Sequence, residues 1–178
     1  MIVGFFPATT MPDADWWQEL WPDPAKVLAE MGVEPGMVAV DLCCGDGLFT
    51  VPLARVAKRV YAIDIDPAML DRARARTAAA GAANCEFVVA NAMAVDRVVP
   101  EPVDYVFLAN TFHGVPDQLG LARAVAALLK PNGQFGLSIG IVDRARKQWS
   151  STSHVVSRLR CGWRPTRWLR SSRRPAWC

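Results

Sequence analysis

The residues best suited to chemistry lie in two short stretches. In VAVDLCCGDGLFT, residues 38–50, Asp41 ends an apolar run, and Cys43, Gly45 and Gly47 follow. Glycines there let the chain turn tightly and let a ligand approach the main chain. A helix opening behind such a loop points its first amides at that ligand. An ordinary tight turn uses the same residues, so this loop alone is weak evidence. RVYAID adds a second acid, Asp64, placed 17 residues after Gly47. A carboxylate at that spacing can accept hydrogen bonds from both hydroxyls of a ribose. The alternative is that Asp64 or Asp66 only caps the helix that opens at Pro67; Asp66 suits that role, and Asp64 is the better ribose candidate.

These stretches need elements to position them, and the chain alternates strand and helix. Residues 12–31 read as a helical lead-in. Met37–Leu42 reads as a strand, Leu48–Ala57 as a helix and Arg59–Asp64 as a second strand. Pro67–Ala80 follows as a helix with Pro at its first turn and Gly81 beyond its end. Cys85–Val89 and Val103–Ala109 are the next strands, the latter nearly all apolar, as a strand buried on both faces is. Asp117–Leu129 reads as an amphipathic helix closed by LKPNG, and Gln134–Gly140 as a fifth strand. The expectation is a Rossmann-like open α/β fold: a parallel sheet with helices on both faces and its ligand at the strands' carboxyl ends.

VDLCCGDG, YAIDIDPAML, EFVVANAMA, VDYVFLANTFHGVPD and LLKPNGQF occur in that order. Together they resemble the motif series of class I S-adenosylmethionine-dependent methyltransferases, most of all the small-molecule enzymes related to ubiquinone and menaquinone biosynthesis. The resemblance spans roughly residues 12–137. It implies S-adenosyl-L-methionine as cofactor and a small-molecule methyl acceptor, with no membrane partner. It also implies that Asp41, Cys43, Gly45 and Gly47 surround the methionine part of the cofactor. By the same likeness Asp64 holds the ribose, Ile65 packs on the adenine, Asn91 and Ala92 meet the adenine edge, and Asn110 lies near the methionyl group. Two residues depart from the family pattern: Cys43 stands where glycine is usual, and Asn91 where aspartate is common. A nicotinamide dinucleotide is the poorer fit, because GDGLFT puts Thr50 where that fingerprint needs a third glycine.

No base is assigned. His113 is the only histidine before residue 138 and suits either proton transfer or loop packing. Trp16, Trp17 and Trp21 suit either a lid over substrate or, better, a staple of the lead-in to the sheet.

The composition, 52% hydrophobic and 21% charged, is that of an ordinary globular protein. No apolar run approaches the roughly 18 residues of a membrane helix, and the start lacks the marks of a signal peptide. Cysteines 43, 44, 85, 161 and 178 form neither a disulfide framework nor a zinc pattern, so no metal is expected and a reducing cytoplasm is the default. Three segments emerge: 1–35, the lead-in; 36–137, the cofactor-binding core; and 138–178, a basic tail.

That tail carries 10 Lys/Arg against the single acid Asp143, with four of the seven tryptophans. It shows neither helical period nor strand alternation. Such a mix is expected of a GC-rich gene read out of frame, and residues 161–177, back-translated and shifted, give an apolar helix begun by Pro-Asp. On that reading the usual last strands are absent, the fifth strand is an open edge, and the chain binds cofactor with impaired catalysis. A genuine basic arm, with Arg and Trp placed to contact nucleic acid, is the weaker alternative.

Overall fold

The computed structural model describes residues 17, 18 and 20–138, and the backbone of 157–160. Its elements run α1 (Pro24–Glu30), β1 (Val38–Leu42), α2 (Thr50–Val56), β2 (Arg59–Asp64), α3 (Pro67–Ala79), β3 (Cys85–Val89), α4 (Val95–Val98), β4 (Val103–Ala109), α5 (Gln118–Leu128), β5 (Leu129–Ser138) and β6 (Ser157–Arg160). Single 3₁₀ turns at Ala92–Ala94 and Phe112–Gly114 follow β3 and β4.

The strands lie in the order β3-β2-β1-β4-β5-β6. The first five are parallel. Strand order therefore reverses at β1, between β2 and β4, which opens a crevice above their carboxyl ends. Every residue of β1 is buried, as befits a central strand covered on both faces. Val38, Val40 and Leu42 pack with Val106, Leu108, Leu121 and Val125 on one face. Ala39 packs with Tyr105, Phe107 and Leu53 on the other, together with Trp21, Leu28 and Met31. Asp41 has the parity of Ala39 and so lies on the α1–α2 face.

Local chemistry sets the helix starts. Asp23, Asp66 and Asp117 each cap a helix by accepting a backbone N–H, from Lys26, Ala68 and Gly120 respectively. Pro24 and Pro67 open α1 and α3. Trp21 meets Phe49 edge-on at 5.4 Å between ring centroids, and Phe49 meets Phe107 at 4.8 Å. Trp21 is thus a staple rather than a lid; Trp16 lies outside the described residues.

Three expectations need correction. The helix after the first loop is shorter than Leu48–Ala57, because the chain needs Leu48 and Phe49 to finish the turn before Thr50. LKPNG is not merely a helix stop: β5 begins at Leu129, which pairs with Val103, whereas Gln134 already pairs with Tyr105. Lys130–Gly133 therefore bulges out, with Asn132 at φ 68° and Lys130 tied to Asp104 at 2.8 Å. Finally, β5 is not an open edge. Backbone of the tail, Ser157–Arg160, pairs with it antiparallel, from Gln134↔Arg160 to Leu137↔Ser157. Ladder hydrogen bonds engage main-chain groups, so this pairing did not require the side-chain alternation sought in the sequence.

Candidate cofactor site

The site grows from the way β1 ends. Cys43 adopts φ 59°, and Gly45 and Gly47 adopt φ 55° and 87°, so the chain doubles back three times within five residues. The positive φ at Cys43 is why glycine is the easier residue there; an L-residue holds that conformation at about 1–2 kcal/mol. The Cys44 N–H bonds the Ile63 carbonyl at 3.0 Å, fastening the loop to the end of β2. Gly47 seats the loop on α3: a Cβ there would lie 3.0 Å from both Cα and Cβ of Ala73.

Asp64 clamps this loop. Its Oδ2 accepts the Gly45 N–H at 2.8 Å, and its Oδ1 accepts the Asp66 N–H at 3.0 Å. A carboxylate has about four acceptor positions, so lone-pair capacity remains for a ligand. Burial pushes the Asp64 carboxyl upward, against the backbone hydrogen bonds that hold its anion. Asp41 lies deeper, 3% exposed, and accepts the Thr50 hydroxyl at 2.6 Å. Burial drives its carboxyl up to about 7, the Thr50 hydrogen bond opposes this, and the nearby Asp64 and Asp46 charges add to it. Asp46 itself pairs with Arg76 at 2.8 Å.

The other expected residues gather around the same rim. Ile65 is half-buried directly after Asp64. Asn91 is exposed past β3; its Oδ1 accepts the Met93 N–H at 2.9 Å, so the side chain retains a donor. Ala92, buried, begins the turn behind it. Asn110 ends β4 with φ 55° and donates its N–H to the Ser138 carboxyl-end carbonyl at 2.8 Å. The central strands β1 and β4 therefore both break through a left-handed residue, Cys43 and Asn110; past β4 the Thr111 hydroxyl turns back onto the Ala109 carbonyl at 3.1 Å. Burial pushes the Cys43 and Cys44 thiols upward, so neither is a ready nucleophile. His113 sits exposed in the turn after β4.

Sequence reasoning missed the parts played by Thr50, which bonds the expected Asp41, and by Arg76, which pairs with Asp46 in the same loop; only the strand–loop–helix phase linking Asp41 to Thr50 left a readable trace. As a set, one buried and one half-buried carboxylate beneath a tight loop suit a ligand with positive charge and vicinal hydroxyls. They do not suit a phosphate, which they would repel.

A family model described as a methyltransferase domain matches residues 39–133, more than half of the 178 residues. The demethylmenaquinone methyltransferase of Staphylococcus aureus (strain MRSA252) is 32% identical over 111 residues, which cover 61% of this chain and 45% of that protein. The ubiquinone biosynthesis O-methyltransferase of Xanthomonas campestris pv. campestris (strain B100) is 33% identical over 104 residues, 58% of this chain and 43% of that one. A solved SAM-dependent methyltransferase from Aquifex aeolicus superposes with TM-score 0.57 and 30% identity, covering 71% of this chain and 66% of its own. The chain thus spans less than half the length of the two curated relatives.

Two predictions follow from the loop. Gly36→Ala, at φ 85° with nothing within 4 Å of the added carbon, costs about 1 kcal/mol from backbone strain. Gly47→Ala adds the Ala73 contact and costs about 2–3 kcal/mol in denaturant unfolding; equal costs for the two would contradict the seating of the loop on α3. The second concerns Asp41, whose folded carboxyl lies above its unfolded value. The folded state holds that proton more tightly, so Asp41 lowers stability as pH rises from about 4 to about 7. Asp41→Asn is then expected to melt several degrees above the wild type at pH 8, with the gap closing toward pH 4. A gap independent of pH would contradict the burial argument.

Proposed function

We infer, from the fact that this chain belongs to the class I S-adenosylmethionine-dependent methyltransferase family, that it binds S-adenosylmethionine above β1, β2 and β4 and transfers its methyl group to a small-molecule acceptor. The observation that carries this reading is the Asp64 clamp: a half-buried carboxylate already oriented by Gly45 and Asp66 amides at the end of β2, the strand beside the β1–β4 switch point. Ribose hydroxyls meeting it need no reorganisation of the loop.

The donor set fits the cofactor. Asp41 and Asp64 favour a ligand bearing ammonium and sulfonium charge, while the half-buried Ile65 offers an apolar wall for the adenine. Asn91, with Oδ1 engaged, offers its amide N–H to a ring nitrogen, where an aspartate would instead accept from an exocyclic amine. When bound, S-adenosylmethionine supplies a methyl group on a sulfonium, already activated for in-line displacement. The chain's own part is alignment and exclusion of water. The loops after β1 and β4 form the floor on which that alignment rests.

For the acceptor, the names of the two curated relatives support a quinone-type or similarly apolar ring compound. Among the described residues no helix is long and apolar enough to cross a membrane. Cys43, Cys44 and Cys85 are free thiols, which favours a reducing compartment. A second reading, a chain that binds cofactor without transferring its methyl group, is compatible with the same geometry. The two readings separate on single-turnover methyl transfer, not on binding.

Calorimetric titration with S-adenosylhomocysteine tests the shared part. Saturable binding is expected, weakened about tenfold or more by Asp64→Ala, the equivalent of about 1.4 kcal/mol. A folded protein that binds nothing would remove the cofactor reading.

A further inference from the structure

Asp41 has an unusual environment for an acid. The charged groups acting on it are both carboxylates, Asp64 from β2 and Asp46 from the following loop. Of these, Asp46 is itself paired with Arg76 of α3. The remaining titratable groups facing Asp41 are thiols: Cys43 and Cys44 in the loop, and Cys85 on β3. What Asp41 does have is the Thr50 hydroxyl, at 2.6 Å and fully buried.

A threonine in a helix ordinarily turns its hydroxyl back on the preceding turn. Thr77 in α3 does this, bonding the carbonyls of Ala73 and Arg74 at 2.9 and 3.0 Å. Thr50 differs because it is the first residue of α2. Four residues before it lies the loop, not a helical turn, so its hydroxyl is free to reach across to the end of β1. The parity of Asp41 along β1 puts the carboxylate on that same face.

We propose that Thr50 is a positioning residue, whose hydroxyl holds the Asp41 carboxylate ionised and fixed beneath the loop so that the site presents negative charge to the cationic part of the cofactor. This rests on the cofactor reading above. A hydrogen bond donated to a carboxylate favours its charged form, and without it two neighbouring carboxylates and burial all push Asp41 toward the neutral acid. A neutral Asp41 would still fill its space, so the loop keeps its shape and loses its field.

The test compares Thr50→Val, which removes the hydroxyl at equal size, with Thr50→Ser, which keeps it. The first readout is the Asp41 carboxyl carbon in the ligand-free protein, followed by NMR against pH. Its midpoint is expected to move alkaline by about one pH unit in Thr50→Val and to return toward wild type in Thr50→Ser. The second is calorimetry with S-adenosylmethionine against pH. Thr50→Val should bind about tenfold more weakly near neutrality and recover as pH rises, while Thr50→Ser follows the wild type. A Thr50→Val protein with an unmoved midpoint, or with only a lower Tm and an unchanged pH profile, overturns the proposal. Should the valine protein not fold, Thr50→Ala replaces it, and a serine variant shifted as far as the alanine one is equally fatal. Absence of cofactor binding by the wild type itself would overturn the cofactor reading beneath the proposal, whereas normal binding with an unmoved midpoint overturns the Thr50 role alone.

Discussion

A carboxylate buried at the end of the innermost strand constrains this structure more than any other single group. β1 is flanked by β2 and β4 and covered on both faces, so Asp41 leaves water on every side. Acids are rarely left so deep without a cation, and here the hydrogen bond that favours the ionised form comes from the Thr50 hydroxyl. The arrangement costs stability that an asparagine would not. That sacrifice is intelligible where a site must carry negative charge before its ligand arrives, because charge fixed in advance need not be reorganised on binding.

The rest of the architecture serves to hold that charge and its loop in register. Two apolar faces pin β1 and β4 between helices on either side. Each strand then breaks through a left-handed residue, Cys43 or Asn110, which turns both loops toward the crevice instead of onward along the sheet. Asp64 closes the arrangement by hydrogen-bonding into the first loop from the neighbouring strand. This is a different division of labour from dinucleotide sites, where a helix terminus meets phosphate. Here α2 is only seven residues long, and its leading Val51 amide is returned to Gly47.

Strand positions were legible because buried parallel strands are written as short apolar runs: Arg59–Asp64, Cys85–Val89 and Val103–Ala109 occur at the expected bounds. The expected site residues fall on the ends of β1 to β4 because side-chain period and topology leave no other place for them. What escaped was chemistry across the fold. Nothing in the run of residues shows that Thr50 bonds Asp41, that Asn91 spends its oxygen on Met93, or that Asp46 is neutralised by Arg76. The bulge at Lys130–Gly133 was hidden because Pro, Asn and Gly mark a turn without saying whether a strand resumes the same ladder. The pairing of Ser157–Arg160 with β5 was hidden for a deeper reason: main-chain pairing places little demand on residue type, so a basic segment of any origin can take an available edge.

The central claim is that one cofactor site spans the carboxyl ends of β1 to β4. Backbone amide NMR on addition of S-adenosylhomocysteine tests it most directly. The expected result is a set of shifts confined to residues 43–47, 64–66, 91–92 and 110–111, saturating together with one affinity. Shifts concentrated elsewhere, such as the groove lined by Gln18, Asp23, Arg55 and Ala79, would contradict it.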